Sequence, residues 1–214
     1  ANKLTKGLIR NEHDVVNFSY RDFTNKFHLK DSNALNQKIF NITENYRPDL
    51  ILLGHNNIIT ENTIEKNKSN HKTKIALWYE DHLIKGGPNY VNNLNLIEKN
   101  RDLIDQYFVT TFPDSINTKI NKNKLNYIPI PADKNIENLE IYNSNNRYKD
   151  LFFALSHGVN YGKLKSTNTD ERESFLNELM EKNKKLTFNI LGYASEQPKW
   201  NYHYFEELSK CKTA

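Results

Sequence analysis

Residues 47–55 read Arg-Pro-Asp-Leu-Ile-Leu-Leu-Gly-His, and this stretch constrains the fold more than any other. Its apolar run is too short for most helices and does not alternate, the pattern of a strand buried on both faces of a parallel sheet. Pro48 ends the helical pattern before it. Gly54 is expected to let the chain turn sharply where the strand stops. Ligands of open α/β sheets bind beyond the carboxyl ends of the strands, which is where His55 falls. The strand is expected to lie centrally in its sheet.

The remaining chain repeats this unit. Leu4, Leu8 and Ile9 recur at helical spacing, and residues 14–20 (Asp-Val-Val-Asn-Phe-Ser-Tyr) read as a strand. Such a helix-to-strand step normally follows a first strand and a glycine loop. With Ala rather than Met at position 1, a first strand is expected to have been cut away. Leu35, Ile39, Ile42 and Tyr46 share one face of a helix that Ser32 can cap. A weaker helix is expected near 60–68, a strand over 74–80, and a helix carrying Val91, Leu94 and Ile97 after Gly86-Gly87-Pro88. A strand over 106–111, a helix over 113–122 begun by proline, and a strand over 125–131 complete the series. Strands alternating with helices argue for a parallel, Rossmann-like sheet with His55, Asp81 and Thr111 along one edge.

Residues 133–148 are polar and Asn-rich and read as a linker between a first domain (1–132) and a second (149–214). The second opens with a strand from Asp150. After a loop with Asn160, Gly162, Lys163 and Lys165 comes a helix capped by Asn168 or Thr169. Asp170 and Glu171 complement its dipole, and Phe175, Leu176, Leu179 and Met180 form its buried face. A strand over 186–192 and a helix bearing Tyr204 and Leu208 follow. About 65 residues is half of what a Rossmann-like sheet usually needs, so this domain is expected to be incomplete.

Composition narrows the function. A net charge of +4 spread among interspersed Lys, Asp and Glu is no nucleic-acid footprint. A single cysteine, Cys211, excludes an intramolecular disulfide framework and a cysteine-based zinc site, and fits a cytoplasmic protein. No apolar run approaches the ~20 residues of a membrane span, and no signal peptide is expected. His13, His28, His71, His82 and His203 have no metal-ligand spacing, and neither an Asp-x-Asp motif, a dinucleotide fingerprint nor a P-loop occurs. No metal or cofactor is expected.

Two Rossmann-like halves joined by a linker are the plan of GT-B glycosyltransferases. The chain resembles one branch, the CgeB-like (spore-maturation protein-like) glycosyltransferases. The resemblance rests on residues 47–55, on Lys-Ile-Ala-Leu-Trp-Tyr-Glu-Asp-His at 74–82 and on Tyr-Phe-Val-Thr-Thr at 107–111. It continues in Asp-Leu-Phe-Phe-Ala-Leu-Ser at 150–156, Asp-Glu-Arg-Glu-Ser-Phe-Leu at 170–176, Phe-Asn-Ile-Leu-Gly at 188–192 and Tyr-Phe-Glu-Glu-Leu-Ser-Lys-Cys-Lys at 204–212. The family's Phe-Val-Gly at the start of the second domain is replaced by Ala154-Leu155-Ser156, and the family's acidic donor-contacting region would lie beyond residue 214. The resemblance implies metal-independent transfer of a sugar from a nucleotide-sugar donor to a glycan or protein acceptor.

Glycosyl transfer needs a base for the acceptor hydroxyl and positive charge or helix N-termini for the departing diphosphate. Ser156, Gly158, Lys163 and Arg172 suit the diphosphate. Lys163 is otherwise a solvated loop lysine, and Arg172 a partner for a glutamate on its own helix. For the base, His55 and Asp81 are the candidates; otherwise each caps a turn. Thr111 and Trp78 would line the acceptor side, with Trp78 alternatively a core residue. Glu80 and Asp81, adjacent at a strand end, are expected to point to opposite sides and so not to form a carboxylate pair. A non-catalytic Rossmann-like module that binds a glycan or an anionic ligand is the other reading.

Overall fold

A computed structural model describes residues 2–20, 22–23, 32–55, 58–87, 89–133, 143, 145–155, 171–192, 199–200 and 202–214. The chain is of mixed α/β class and divides into two compact units, Ala1–Asp133 and Lys134–Ala214. In the first unit, helices α1 (Asn2–Arg10) and α2 (Ser32–Tyr46) precede strand β1 (Leu50–Gly54). Helix α3 (Glu61–His71), β2 (Lys74–Tyr79), α4 (Tyr90–Glu98), β3 (Gln106–Val109) and β4 (Leu125–Tyr127) follow. The four strands are parallel in the order β1-β2-β3-β4.

One face of this sheet is the core. Leu53, Ile75, Leu77, Tyr79, Tyr107, Val109 and Leu125 project from the strands onto Ile64 of α3 and Ile97 of α4, with Ile39 of α2 packed alongside. All three helices therefore cover the same face, as successive right-handed crossovers in one direction require. The opposite face is only partly covered: Leu50 is 51 % exposed and Leu52 37 %. The expectation of a central strand buried on both faces is thus corrected, since β1 is the edge strand of the described sheet and β2 and β3 lie inside.

Two side-chain clusters hold the elements in register. At the amino ends, Asp105 accepts hydrogen bonds from Lys68 Nζ (2.9 Å) and the backbone N–H of Ile75 (2.8 Å). Beyond β1, the buried Asn36 donates to the Ile58 carbonyl and accepts from Thr60 N, which fixes the chain as it leaves the strand.

Residues 13–19 carry no regular structure, which corrects the expected strand over 14–20. The segment nonetheless reaches the end of β1, where Tyr20 Oη donates to the His55 carbonyl at 3.0 Å. Asp14, Asn17 and Ser19 are poor strand formers. No ladder hydrogen bond joins the segment to β1 among the described residues.

The expected helix over 113–122 is also absent. Short 3₁₀ turns occupy Pro113–Ser115 and Lys122–Lys124. Groups that a helix would use internally are engaged elsewhere: Lys119 N donates to Glu98 Oε1 (2.7 Å), and the Ile116 carbonyl accepts from Lys122 Nζ (2.9 Å). Strand β4 ends at Tyr127 rather than 131, because Pro129 and Pro131 have no N–H for the ladder.

The second unit holds β5 (Lys149–Ala154), α5 (Glu171–Lys182), β6 (Phe188–Leu191), α6 (Tyr202–Ser209) and β7 (Cys211–Thr213), with parallel strands in the order β6-β5-β7. Strand β7 was not expected from sequence. Phe152, Leu191 and Cys211 form a core with Tyr204 and Leu208 of α6 against it. At the start of β5, Asp150 accepts from Lys212 Nζ (2.7 Å) and from Thr187 N and Oγ1 (2.8 Å each). Among the described residues no helix is long and apolar enough to cross a membrane.

Candidate active site

The carboxyl ends of β1 and β2 bring three titratable side chains together. The turn after β1 is made by His55, whose φ of +49° is left-handed. Gly54, to which sequence reasoning assigned that turn, is an ordinary strand residue without a positive φ. Among the described residues six non-glycine positions have positive φ: four of them follow helices, Asn89 precedes one, and His55 alone ends a strand. A left-handed conformation costs a side-chain-bearing residue about 1–2 kcal/mol. Tyr20, holding the His55 carbonyl, helps to keep it there.

Strand β2 stops at Tyr79, so the alternation of side chains ends before Glu80 and Asp81. This corrects the expectation that the two diverge. His55 Nε2 lies 3.0 Å from Glu80 Oε1, and Nδ1 lies 4.0 Å from Asp81 Oδ2. The imidazole also packs on the Tyr79 ring, with centroids 4.9 Å apart. His55 and Glu80 are partly buried, whereas about half of the Asp81 side chain is open to solvent.

The loop that carries both carboxylates is fixed from behind. Thr110 Oγ1 donates to the Glu80 carbonyl at 2.8 Å, and Leu83 N donates to Thr111 Oγ1 at 3.2 Å. Asn93, on α4, donates to the His82 carbonyl (3.0 Å) and accepts from Tyr79 Oη (3.0 Å). Leu83 is fully buried, and the His82 ring packs so closely on Gly87 that a Cβ there would lie 2.0 Å from Nδ1. Burial, with the Asp81 and Glu80 charges added, pushes the Tyr79 phenol up to about 12, so this hydroxyl stays neutral. Glu80 Oε2 is buried and has no hydrogen-bond partner in the described structure.

The structure thus joins His55 and Asp81 and adds Glu80, Tyr79 and Tyr20. Thr111 stands at the same edge, but its buried hydroxyl supports the loop. Trp78 projects with Gly54 and Phe108 from the sheet face opposite Tyr79 and does not join the cluster. At the carboxyl ends of β3 and β4, the exposed rings of Phe112 and Tyr127 pack with centroids 5.6 Å apart. Arg172 is an exposed residue in the first turn of α5, in the second unit. Ser156, Gly158 and Lys163 lie outside the described residues. Among the described residues no group of three or more His, Cys, Asp or Glu side chains is arranged to hold a metal ion.

An imidazole with a carboxylate at 3.0 Å from Nε2 and another 4.0 Å from Nδ1 has the residue types and the placement of a general base for a hydroxyl. Tyr79-Glu80-Asp81 was readable as a strand end followed by two acids, which is the signal that could have marked Glu80. Comparison of the chain with protein-family models, curated proteins and solved structures found no match.

Proposed function

We propose that the chain is a CgeB-like glycosyltransferase that moves a sugar from a nucleotide-sugar donor to a hydroxyl of a glycan or protein acceptor. The observation that carries this reading is His55, held in a left-handed turn between Glu80 and Asp81 at the carboxyl edge of a parallel sheet. In the transfer step the acceptor hydroxyl gives its proton to His55. Its oxygen bonds to the anomeric carbon, and the bond from that carbon to the diphosphate oxygen breaks with its electron pair leaving on the nucleoside diphosphate. The first unit supplies the acceptor side. Arg172 and the residues 156–165 are assigned to the donor diphosphate for their chemistry, a hydroxyl, glycine N–H groups and cations, and Arg172 also matches the arginine of the equivalent family helix. The exposed Phe112–Tyr127 pair offers apolar faces on which the C–H side of a sugar ring can stack.

The test is a coupled assay for released nucleoside diphosphate, run with a panel of sugar nucleotides and glycan acceptors. His55→Ala is expected to lower turnover by about 10²–10⁴-fold and Asp81→Asn by less. No release with any donor overturns the reading. The Phe112–Tyr127 pair would equally serve a module that binds glycan without turnover, and glycan binding unaffected by His55→Ala in a chain without transferase activity would establish that alternative.

A further inference from the structure

We infer that Glu80 is the positioning residue of this site: it holds the His55 proton on Nε2 and thereby leaves Nδ1 as the atom that receives the acceptor's proton. The inference rests on the transferase reading for the identity of the acceptor, but its geometry stands by itself. An ionised carboxylate only accepts hydrogen bonds, so the 3.0 Å approach of Glu80 Oε1 to Nε2 requires the proton on that nitrogen. The 4.0 Å separation of Nδ1 from Asp81 Oδ2 is too long for a direct hydrogen bond, so Asp81 does not compete for the ring's proton. The same gap admits a hydroxyl oxygen about 2.8 Å from each, off the line that joins them. Asp81 is then the open, substrate-facing acid and Glu80 the inner one.

Every group described against the imidazole fits this division. Tyr79 presents its ring, and its neutral hydroxyl is turned to Asn93. Tyr20 Oη donates to the His55 carbonyl, a main-chain atom. Glu80 has its carbonyl tied to Thr110, and its second carboxylate oxygen is buried. A residue merely neutralising charge would need none of this anchoring. A residue that selects a tautomer needs its oxygen held at one nitrogen.

Long-range ¹H–¹⁵N NMR of the histidine side chains in the full chain, at a pH where the ring is neutral, reads the tautomer directly. The wild type is expected to carry its proton on Nε2. Glu80→Gln keeps that state, because the amide oxygen still accepts, and Glu80→Ala gives a mixture of tautomers. In turnover, Glu80→Ala is expected to lower kcat by roughly 10–100-fold with KM little changed, and Glu80→Gln to recover part of the loss. A proton on Nδ1 in the wild type overturns the inference, and so does a Glu80→Ala chain whose tautomer is unchanged; the wild-type spectrum decides even if Glu80→Ala does not fold. A chain with the expected tautomer that transfers no sugar removes the transferase reading alone, whereas transfer with an Nδ1-protonated wild type removes only the role of Glu80.

Discussion

Two residues carry backbone conformations that decide what their positions tolerate. His55 pays for its left-handed turn without a glycine's freedom, and its contact with the partly exposed Glu80 returns only about 0–1 kcal/mol. His55→Gly is therefore expected to leave the urea midpoint of the first unit unchanged or raised while turnover falls at least about 100-fold. A lower midpoint would mean that pairing, not conformational cost, dominates there. Gly192 is the opposite case: its φ is +72° and an added Cβ would lie 2.0 Å from the Leu155 carbonyl oxygen. Gly192→Ala is expected to destabilise the second unit by on the order of 3 kcal/mol, because the clash is with backbone rather than with a movable side chain. Gly54→Ala, with open space around it and no positive φ, is the matched control and should shift the midpoint little.

Among elements, α6 is tied to its strands by one carboxylate. Glu207 accepts from Lys199 Nζ (2.6 Å), Lys210 Nζ (2.9 Å) and Asn189 Nδ2 (3.0 Å). The two lysines, against the opposing effect of burial and with help from Asn189, hold its carboxyl down at about 2. A folded value below the ordinary 4.5 means that this stabilisation is complete above about pH 4.5 and is lost as pH falls toward 2. It amounts to about 2–3 kcal/mol, and Glu207→Gln should flatten that part of the stability–pH curve for the second unit. These ties were not readable in sequence, because they join side chains from separate stretches, Asn189 in β6, Lys199 before α6 and Lys210 after it, that no local periodicity links. Long, periodic elements were readable: α2 with its Leu35–Tyr46 face, and β1 to β3 as apolar runs after helices. The segment 14–20 and the stretch 113–122 failed for a shared reason, since hydrogen bonds involving side chains, Tyr20 to the His55 carbonyl and Lys119 N to Glu98, took the place of local ladders. His55 and Asp81 could be named from their positions after strands. Glu80 was passed over, although it directly follows the strand end, because strand alternation was extended one residue too far.

At the scale of the whole molecule, each unit has its own hydrophobic cluster. Leu77 is buried on the core face of β2 and Leu176 is fully buried on α5. Truncating either to alanine should cost about 2–5 kcal/mol, and by native-state hydrogen exchange each loss should fall within its own unit. A Leu77→Ala chain whose second unit loses protection equally would show one cooperative fold instead. The four-stranded sheet also sets an order of breathing. Strands β2 and β3 are laddered on both sides, while among the described residues β1 is laddered to β2 alone, and Tyr20 adds a side-chain tie at its end but no ladder. Amide protons of β1 should therefore exchange faster than those of β2, through openings that leave the rest of the sheet closed. His55 sits at the tip of that strand, so the imidazole samples a looser neighbourhood than the two acids across from it. Within the cluster the histidine is thus the moving part, and Glu80 and Asp81, on the loop tied by Thr110 and Thr111, are the anvil.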